Sequence, residues 1–249
     1  MFKKVFCSHT MHNIITIFKK EFRSYFNSPI AYIFLVVFLV VVNWFFFSRF
    51  FLIDQVSMES FFSILPWIFL IILPSLSMRL WAEEKKSGTM ELLMTLPIND
   101  YEAVIGKFLA VVSFLGITLA LTLPSTLTVI SLGNPDAGEI AGSYLGAIFF
   151  GGALLALGSF LSGLTKNQIV AFLVTVVCSF VLMIVGMDYV LVPVGGGAAS
   201  VLNFLSLSSH YNVMTRGLID SGDLVYFIGF IFFFLFLNVK VLQGRYYKG

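Results

Sequence analysis

Trp81-Ala82-Glu83-Glu84-Lys85-Lys86-Ser87-Gly88-Thr89-Met90-Glu91-Leu92-Leu93-Met94-Thr95-Leu96-Pro97-Ile98-Asn99-Asp100 is the densest run of charge in a very apolar chain. It lies between two segments long and greasy enough to cross a bilayer, which makes it a structured loop at a membrane face. Gly88 with Glu91 three residues on reads as a helix start, and Pro97 disfavours helical geometry at Leu96 and ends the run. At 100° per residue Thr89, Leu92, Leu93 and Leu96 share one face, with Glu91 turned away. Asn99 with Glu102 reads as a second capping signal that opens the next span.

The composition agrees with a membrane protein. Of 249 residues 59% are hydrophobic and 11% charged, and the mean hydropathy is +0.97. The expected fold is an all-α integral membrane protein of one domain over 1–249. It has a tail and interfacial helix over 1–29, a six-span bundle over 30–243 and a tail over 244–249. Cys7 and Cys178 read as two free thiols.

Residues from Asn13 to Phe26 have helical period. Ile14, Ile15, Ile17, Phe18, Phe22, Tyr25 and Phe26 fall on one face, with Lys19, Lys20 and Arg23 off it, which predicts an amphipathic helix lying along the inner leaflet. No apolar core and cleavage site precede the first span, so no signal peptide is expected. Glu21 falls within the apolar stripe, either as a snorkelling side chain or as a fixed partner for a base such as Arg79 or Lys107.

Charge-free runs of about twenty residues place spans near Ile30–Ser48, Phe61–Met78, Phe108–Leu132, Ile140–Leu164, Gln168–Met187 and Leu224–Val239. Six spans put both termini on one side. With the termini inside, only Arg49 and Arg216 of the 15 basic residues lie outside, so the positive-inside rule makes that side the cytoplasm.

Within the spans, Asn43 reads as interhelical glue more readily than as a pathway residue, and Pro66, Pro74 and Pro124 should kink their helices. The glycine-rich fourth span should pack closely. Pro193 and Gly195-Gly196-Gly197 should break the fifth span, after which Val201 to Leu207 is apolar enough to dip back to the interface. His210 reads as a packed or bonded side chain rather than a metal ligand.

Several chemistries have no motif here. Gly106-Lys107 is followed by Phe108 and lacks the first glycine of a phosphate loop; His-Glu-x-x-His and Gly-x-Ser-x-Gly are missing; no span has an ionisable residue at its centre. These observations count against an ATPase, a metalloprotease, an elbow-type serine hydrolase and an ion-coupled carrier.

Glu-Lys-Lys-Ser-Gly-Thr-Met-Glu-Leu-Leu followed by Leu-Pro-Ile resembles the loop signature of permease subunits in type-2 ABC exporters. Tyr25-Phe26-Asn27-Ser28-Pro29 before the first span, and Ser209-His210-Tyr211 with Arg216-Gly217-Leu218-Ile219-Asp220 before the last, look most like the gliding-motility and nitrous-oxide-reductase maturation branches. The resemblance implies a bacterial inner-membrane, multi-pass subunit that is not itself an enzyme. It also implies a separate ABC ATPase that binds ATP and magnesium, a second permease copy or paralogue, an auxiliary outward-facing membrane protein, and no nucleic acid. On that reading Glu84, Gly88, Thr89, Glu91, Leu92, Leu93, Leu96 and Pro97 form a coupling helix for the ATPase. Phe18, Glu21, Phe22 and Arg23 belong to the interfacial helix. His210, Tyr211, Arg216 and Asp220 lie by short outer helices at the gate. The transported material would be a lipid, a glycan or similar; the alternative is an assembly component that powers motility or cofactor maturation.

The charge bias is tested by single cysteines in a background lacking Cys7 and Cys178. In intact cells an impermeant thiol reagent should label Asp136→Cys and Asp220→Cys, and leave Lys85→Cys, Lys166→Cys and Lys248→Cys unmodified until the membrane is opened. Labelling at position 85 ahead of position 136 would reverse the orientation.

Overall fold

The computed structural model describes residues 2–53, 57–90, 98–218 and 220–244, and all its regular structure there is helical. In chain order the helices are α1 (Phe2–Asn27), α2 (Pro29–Ile53), α3 (Glu59–Ser77), α4 (Arg79–Ser87), α5 (Asp100–Ala120) and α6 (Leu123–Leu132). They continue with α7 (Ala137–Leu164), α8 (Gln168–Ile184), α9 (Asp188–Val194), α10 (Gly196–Leu205), α11 (Leu207–Thr215) and α12 (Ser221–Gln243). Five helical runs are long and apolar enough to cross a membrane, and the bent pair α8–α9 makes a sixth. α7 is the hub, packed against α3, α5, α8, α11 and α12, while α2 and α12 are buried along a narrow edge only. At Gly158 a Cβ would sit 2.0 Å from Ser77 Oγ, so the missing side chain is what lets α3 approach α7.

The breaks follow from residue chemistry. Pro29 lacks the N–H that would continue α1 and suits the first turn of α2, so the chain turns at Ser28. The third span is interrupted at Leu121–Thr122, one turn before Pro124, whose ring is incompatible with an unbroken ladder. The α5 start carries the expected capping box, with Glu102 Oε2 accepting the Asn99 N–H at 3.1 Å.

Three expectations need correction. The second span does not stop near Met78, because α4 carries the helix on through the charged run to Ser87. Ser162 of α7 fills the joint: its Oγ accepts from the Trp81 and Ala82 N–H groups at 3.2 and 3.1 Å and donates to the Met78 carbonyl at 2.7 Å. Glu83 to Lys86 therefore extends a span instead of forming a loop. The fifth span bends by 61° between Ile184 and Asp188, before Pro193, which lies inside α9. There a Cβ on Gly186 would meet Ser206 Oγ at 2.1 Å, so close contact with the chain after α10 sets the bend. Finally, the N-terminal helix begins at Phe2 instead of Asn13, and Ile15 of the expected apolar face is exposed.

α1 lies mainly along α5, with little contact to α2. Ile17 is buried, Tyr25 stacks on Phe114 and Phe26 meets the same ring edge-on, while Lys19, Lys20 and Arg23 stay exposed. Phe18 and Phe22 stack on one another at 5.4 Å. The closest point is Gly106, where a Cβ would sit 2.8 Å from Ile17 Cγ2 and 3.2 Å from the Ile14 carbonyl.

Gly106→Leu should therefore lift α1 from α5 while the spans stay folded. With cysteines replacing Thr10 and Tyr101, whose hydroxyls lie 3.5 Å apart, a short bis-maleimide should bridge the parent and largely fail in the variant. Equal bridging would mean that α1 does not depend on this contact.

Candidate functional site

The charged end of α4, the start of α5 and the middle of α1 converge on one ammonium group. Lys107 Nζ donates to Glu84 Oε1 at 2.7 Å and to Glu21 Oε1 at 3.2 Å, and it lies 5.1 Å from the Trp81 ring centroid. The Lys107 side chain is 3% exposed, against 17% for Glu21 and 18% for Glu84. Of the two readings of Glu21, the geometry is that of a fixed partner. Taking an ammonium out of water costs several kcal/mol, offset here by two carboxylates and an aromatic face. The three helices are thereby tied at one point.

Trp81 is itself fully buried, with Nε1 donating to Ser159 Oγ at 3.2 Å, and Lys85 Nζ donates to the Gly163 carbonyl. α4 is thus clamped on one side by α7 and on the other by the Lys107 cluster. The sequence reading of the fourth span rests on its glycines and does not single out Ser159 or Ser162. Their partners lie about eighty positions away, and no local pattern points to them.

Beside the Lys107 cluster opens a cavity of about 350 Å³ between α1, the first turns of α2, the end of α3 and α4. Lys20, Tyr25, Ser28, Arg79 and Glu83 are among its lining. Burial, followed by the nearby Glu21 carboxylate, pushes the Tyr25 phenol above its ordinary range, so Tyr25 remains a neutral hydroxyl.

Gly88 closes α4 in the left-handed region, at φ 72°, and helical backbone resumes at Thr89 and Met90, so the glycine is the joint between α4 and the turn that follows. Glycine enters the left-handed region without a Cβ penalty. Thr89 turns back, its Oγ1 2.8 Å from Ser87 Oγ. Glu91, Leu92, Leu93, Leu96 and Pro97 lie outside the described residues.

The expected gate residues lie at the opposite end of the bundle and are not one cluster. His210 Nδ1 is 2.6 Å from Asp223 Oδ1, its Nε2 is 2.9 Å from the Phe204 carbonyl, and its ring stacks on Tyr226. Tyr211 points the other way, buried, and donates to the Phe62 carbonyl at 2.8 Å. Arg216 lines a separate cavity with Glu59, Asp136 and Glu139, and Asp220 caps α12 by accepting the Gly222 N–H at 3.3 Å. Among the described residues no group of three His, Cys, Asp or Glu side chains is arranged to hold a metal. Asn43 bridges helices: Ser125 Oγ donates to its Oδ1, and its Nδ2 donates to the Leu39 carbonyl at 2.7 Å.

Lys107→Met should cost about 3 kcal/mol, because it leaves two carboxylates partly enclosed with no counter-charge. The triple change Lys107→Met, Glu21→Gln, Glu84→Gln should regain most of that loss. Thermal unfolding in detergent checks both. A single variant no less stable than the triple would deny the cluster its structural role.

The helical bundle and its charged end agree with what comparison finds. No match appears among curated proteins. Residues 15–242 match the family described as ABC-2 family transporter protein, a match to the family as a whole that does not support the gliding-motility branch. Because the match spans nearly all of the bundle, this chain belongs to the ABC-2 transporter family and is a membrane-embedded component of a transporter.

Proposed function

We propose that the chain is the permease subunit of an ABC exporter, with both termini in the cytoplasm, driven by a separate ATPase that seats on the segment from Thr89 to Pro97. The observation that carries this reading is the Lys107 cluster. Both shoulders of the segment, α4 before it and α5 after it, are tied by Lys107 to each other and to α1. A push on Leu92, Leu93 and Leu96, which helical period in the sequence would put on one apolar face of the kind that enters a partner groove, would move α1, α4 and α5 as one block. Family members generally work with an ABC ATPase. ATP and magnesium belong on that partner, since this chain has no phosphate loop. A second copy or a paralogue would complete the pathway, and a lipid- or glycan-like substrate is the class proposed.

Purified chain should show no ATP hydrolysis until the partner ATPase is added. Leu93→Asp places an unpaired charge in the contact and should weaken copurification of the ATPase by about 3 kcal/mol, more than a hundredfold, at unchanged membrane level. Glu91→Gln, which helical period turns away from those leucines, should leave copurification within a few fold. Normal assembly and transport in Leu93→Asp would remove this segment as the coupling element.

A further inference from the structure

The cavity beside the Lys107 cluster has features that coupling alone does not use. It lies where the charged helices meet the first apolar turns of the bundle, lined by Ser24 and Ser28 at the α1–α2 turn and by Ala31, Phe34 and Leu76 on the span side. Six charged side chains line it: Lys20, Arg79 and Lys107 against Glu21, Glu83 and Glu84, three of each sign. Lys107 is already committed to Glu21 and Glu84. Arg79 has no ion pair or hydrogen bond among the described residues, and its Nε is enclosed without a partner. Glu83, one turn on from Arg79 along α4, is exposed with no ion pair among the described residues, and Glu84, held by Lys107 through Oε1, has its Oε2 enclosed without a partner. The cavity therefore offers one cation without an ion pair and, beside it, the Glu83 carboxylate and the second oxygen of Glu84, with no net charge to favour a simple anion or a simple cation.

A second feature says what continues from it. Beside the cavity α2 leaves Ile33, Val36, Val37 and Val40 exposed along its length, and in a helix long and apolar enough to cross a membrane these side chains meet hydrocarbon. A polar cavity at the end of such a helix fits a molecule with a charged head and a hydrocarbon tail.

We propose that this cavity binds the headgroup of a phosphoethanolamine-type membrane phospholipid. Its phosphate sits on the Arg79 guanidinium and its primary ammonium on the Glu83 and Glu84 carboxylates, with its acyl chains on the bilayer side along the exposed face of α2. The planar guanidinium supplies paired N–H donors to phosphate oxygens, and Lys20 adds charge at the open rim. The ammonium supplies the N–H donors that the Glu84 oxygen lacks. A phosphocholine head carries no N–H for that oxygen, and a phosphoglycerol head carries no cation at all, so both should bind less well. The cavity is within the size range of small-molecule sites. The site does not depend on the identity of the ATPase or of the transported substrate, and it would stand if the coupling assignment failed.

The test is native mass spectrometry of delipidated full-length chain in detergent, titrated separately with phosphatidylethanolamine, phosphatidylcholine and phosphatidylglycerol of identical acyl chains. One phosphatidylethanolamine should bind at least tenfold more tightly than either of the others. Arg79→Gln should reduce its binding about tenfold. Glu83→Gln, at an exposed position where folding is not at stake, should abolish the preference over phosphatidylcholine. Water-soluble phosphoethanolamine is the arm that separates headgroup from lipid, and it should bind far more weakly than the lipid. Equal binding of the three lipids, preference for phosphatidylglycerol, retention of the preference in Glu83→Gln, or equal binding of free phosphoethanolamine would each overturn the proposal.

Discussion

The Lys107 ammonium is the group on which the charged end of the bundle depends. An almost fully enclosed cation persists only with close counter-charges, and here those come from two other helices. Shared by Glu21 and Glu84, one side chain fixes the spacing of α1, α4 and α5 together. An exposed lysine pair could open and close at little cost. Withdrawing either carboxylate would cost one of the two charge-assisted bonds to the enclosed ammonium, so a shift of one helix is resisted by the other two.

That constraint is reinforced from the opposite side by uncharged bonds. Ser159 accepts from the Trp81 indole and also from Asn238 Nδ2 at 2.8 Å, which links α4, α7 and α12 through a single hydroxyl. Ser162 satisfies backbone groups released at the α3–α4 joint, so the interruption costs little while the helix direction can change there. α4, only nine residues long, is too short to be stable by itself. Its helicity is a consequence of these contacts with α1, α5 and α7.

Much of this was legible in the sequence because the membrane imposes long apolar runs and a sign on the loops between them. The apolar runs themselves, the turn at Ser28-Pro29, the Asn99–Glu102 cap and an interruption of the third span by Pro124 follow from local rules, although the second span runs on past Met78. What could not be read was set by distant partners. Gly88 reads locally as a helix start, and helical backbone does follow at Thr89; that it also ends a helix over the charged run depends on α4 being held against α7. The bend at Gly186 depends on Ser206 lying against it, while Pro193 and the triple glycine, the stronger local signals, are accommodated inside or between short helices. At the candidate site, Glu21 was visible as a carboxylate out of place in an apolar stripe. That Arg79 would stay free while Lys107 took both carboxylates required three-dimensional spacing.

The two ends of the bundle differ in how they are held, and the difference bears on how movement could pass between them. At the Lys107 end the helices are joined by ion pairs and hydrogen bonds to buried backbone. At the other end the ties run through aromatic side chains: His210, bonded to Asp223 and stacked on Tyr226, and Tyr211, hydrogen-bonded to the Phe62 carbonyl. Between them, the third span is broken at Thr122 and the fifth bends after Ile184. A block tied by buried charge can pass displacement along an intact helix, but it loses that stiffness where the backbone ladder is interrupted. Thr122 and Thr126 both bond to Tyr144 of α7, at 2.9 and 2.8 Å. The break in the third span is therefore tied to the hub helix, while at the bend in the fifth Gly186 lies against Ser206 and Ser209, at the start of α11. Both interruptions are met by side-chain hydroxyls of neighbouring elements, and these contacts set where each span changes direction.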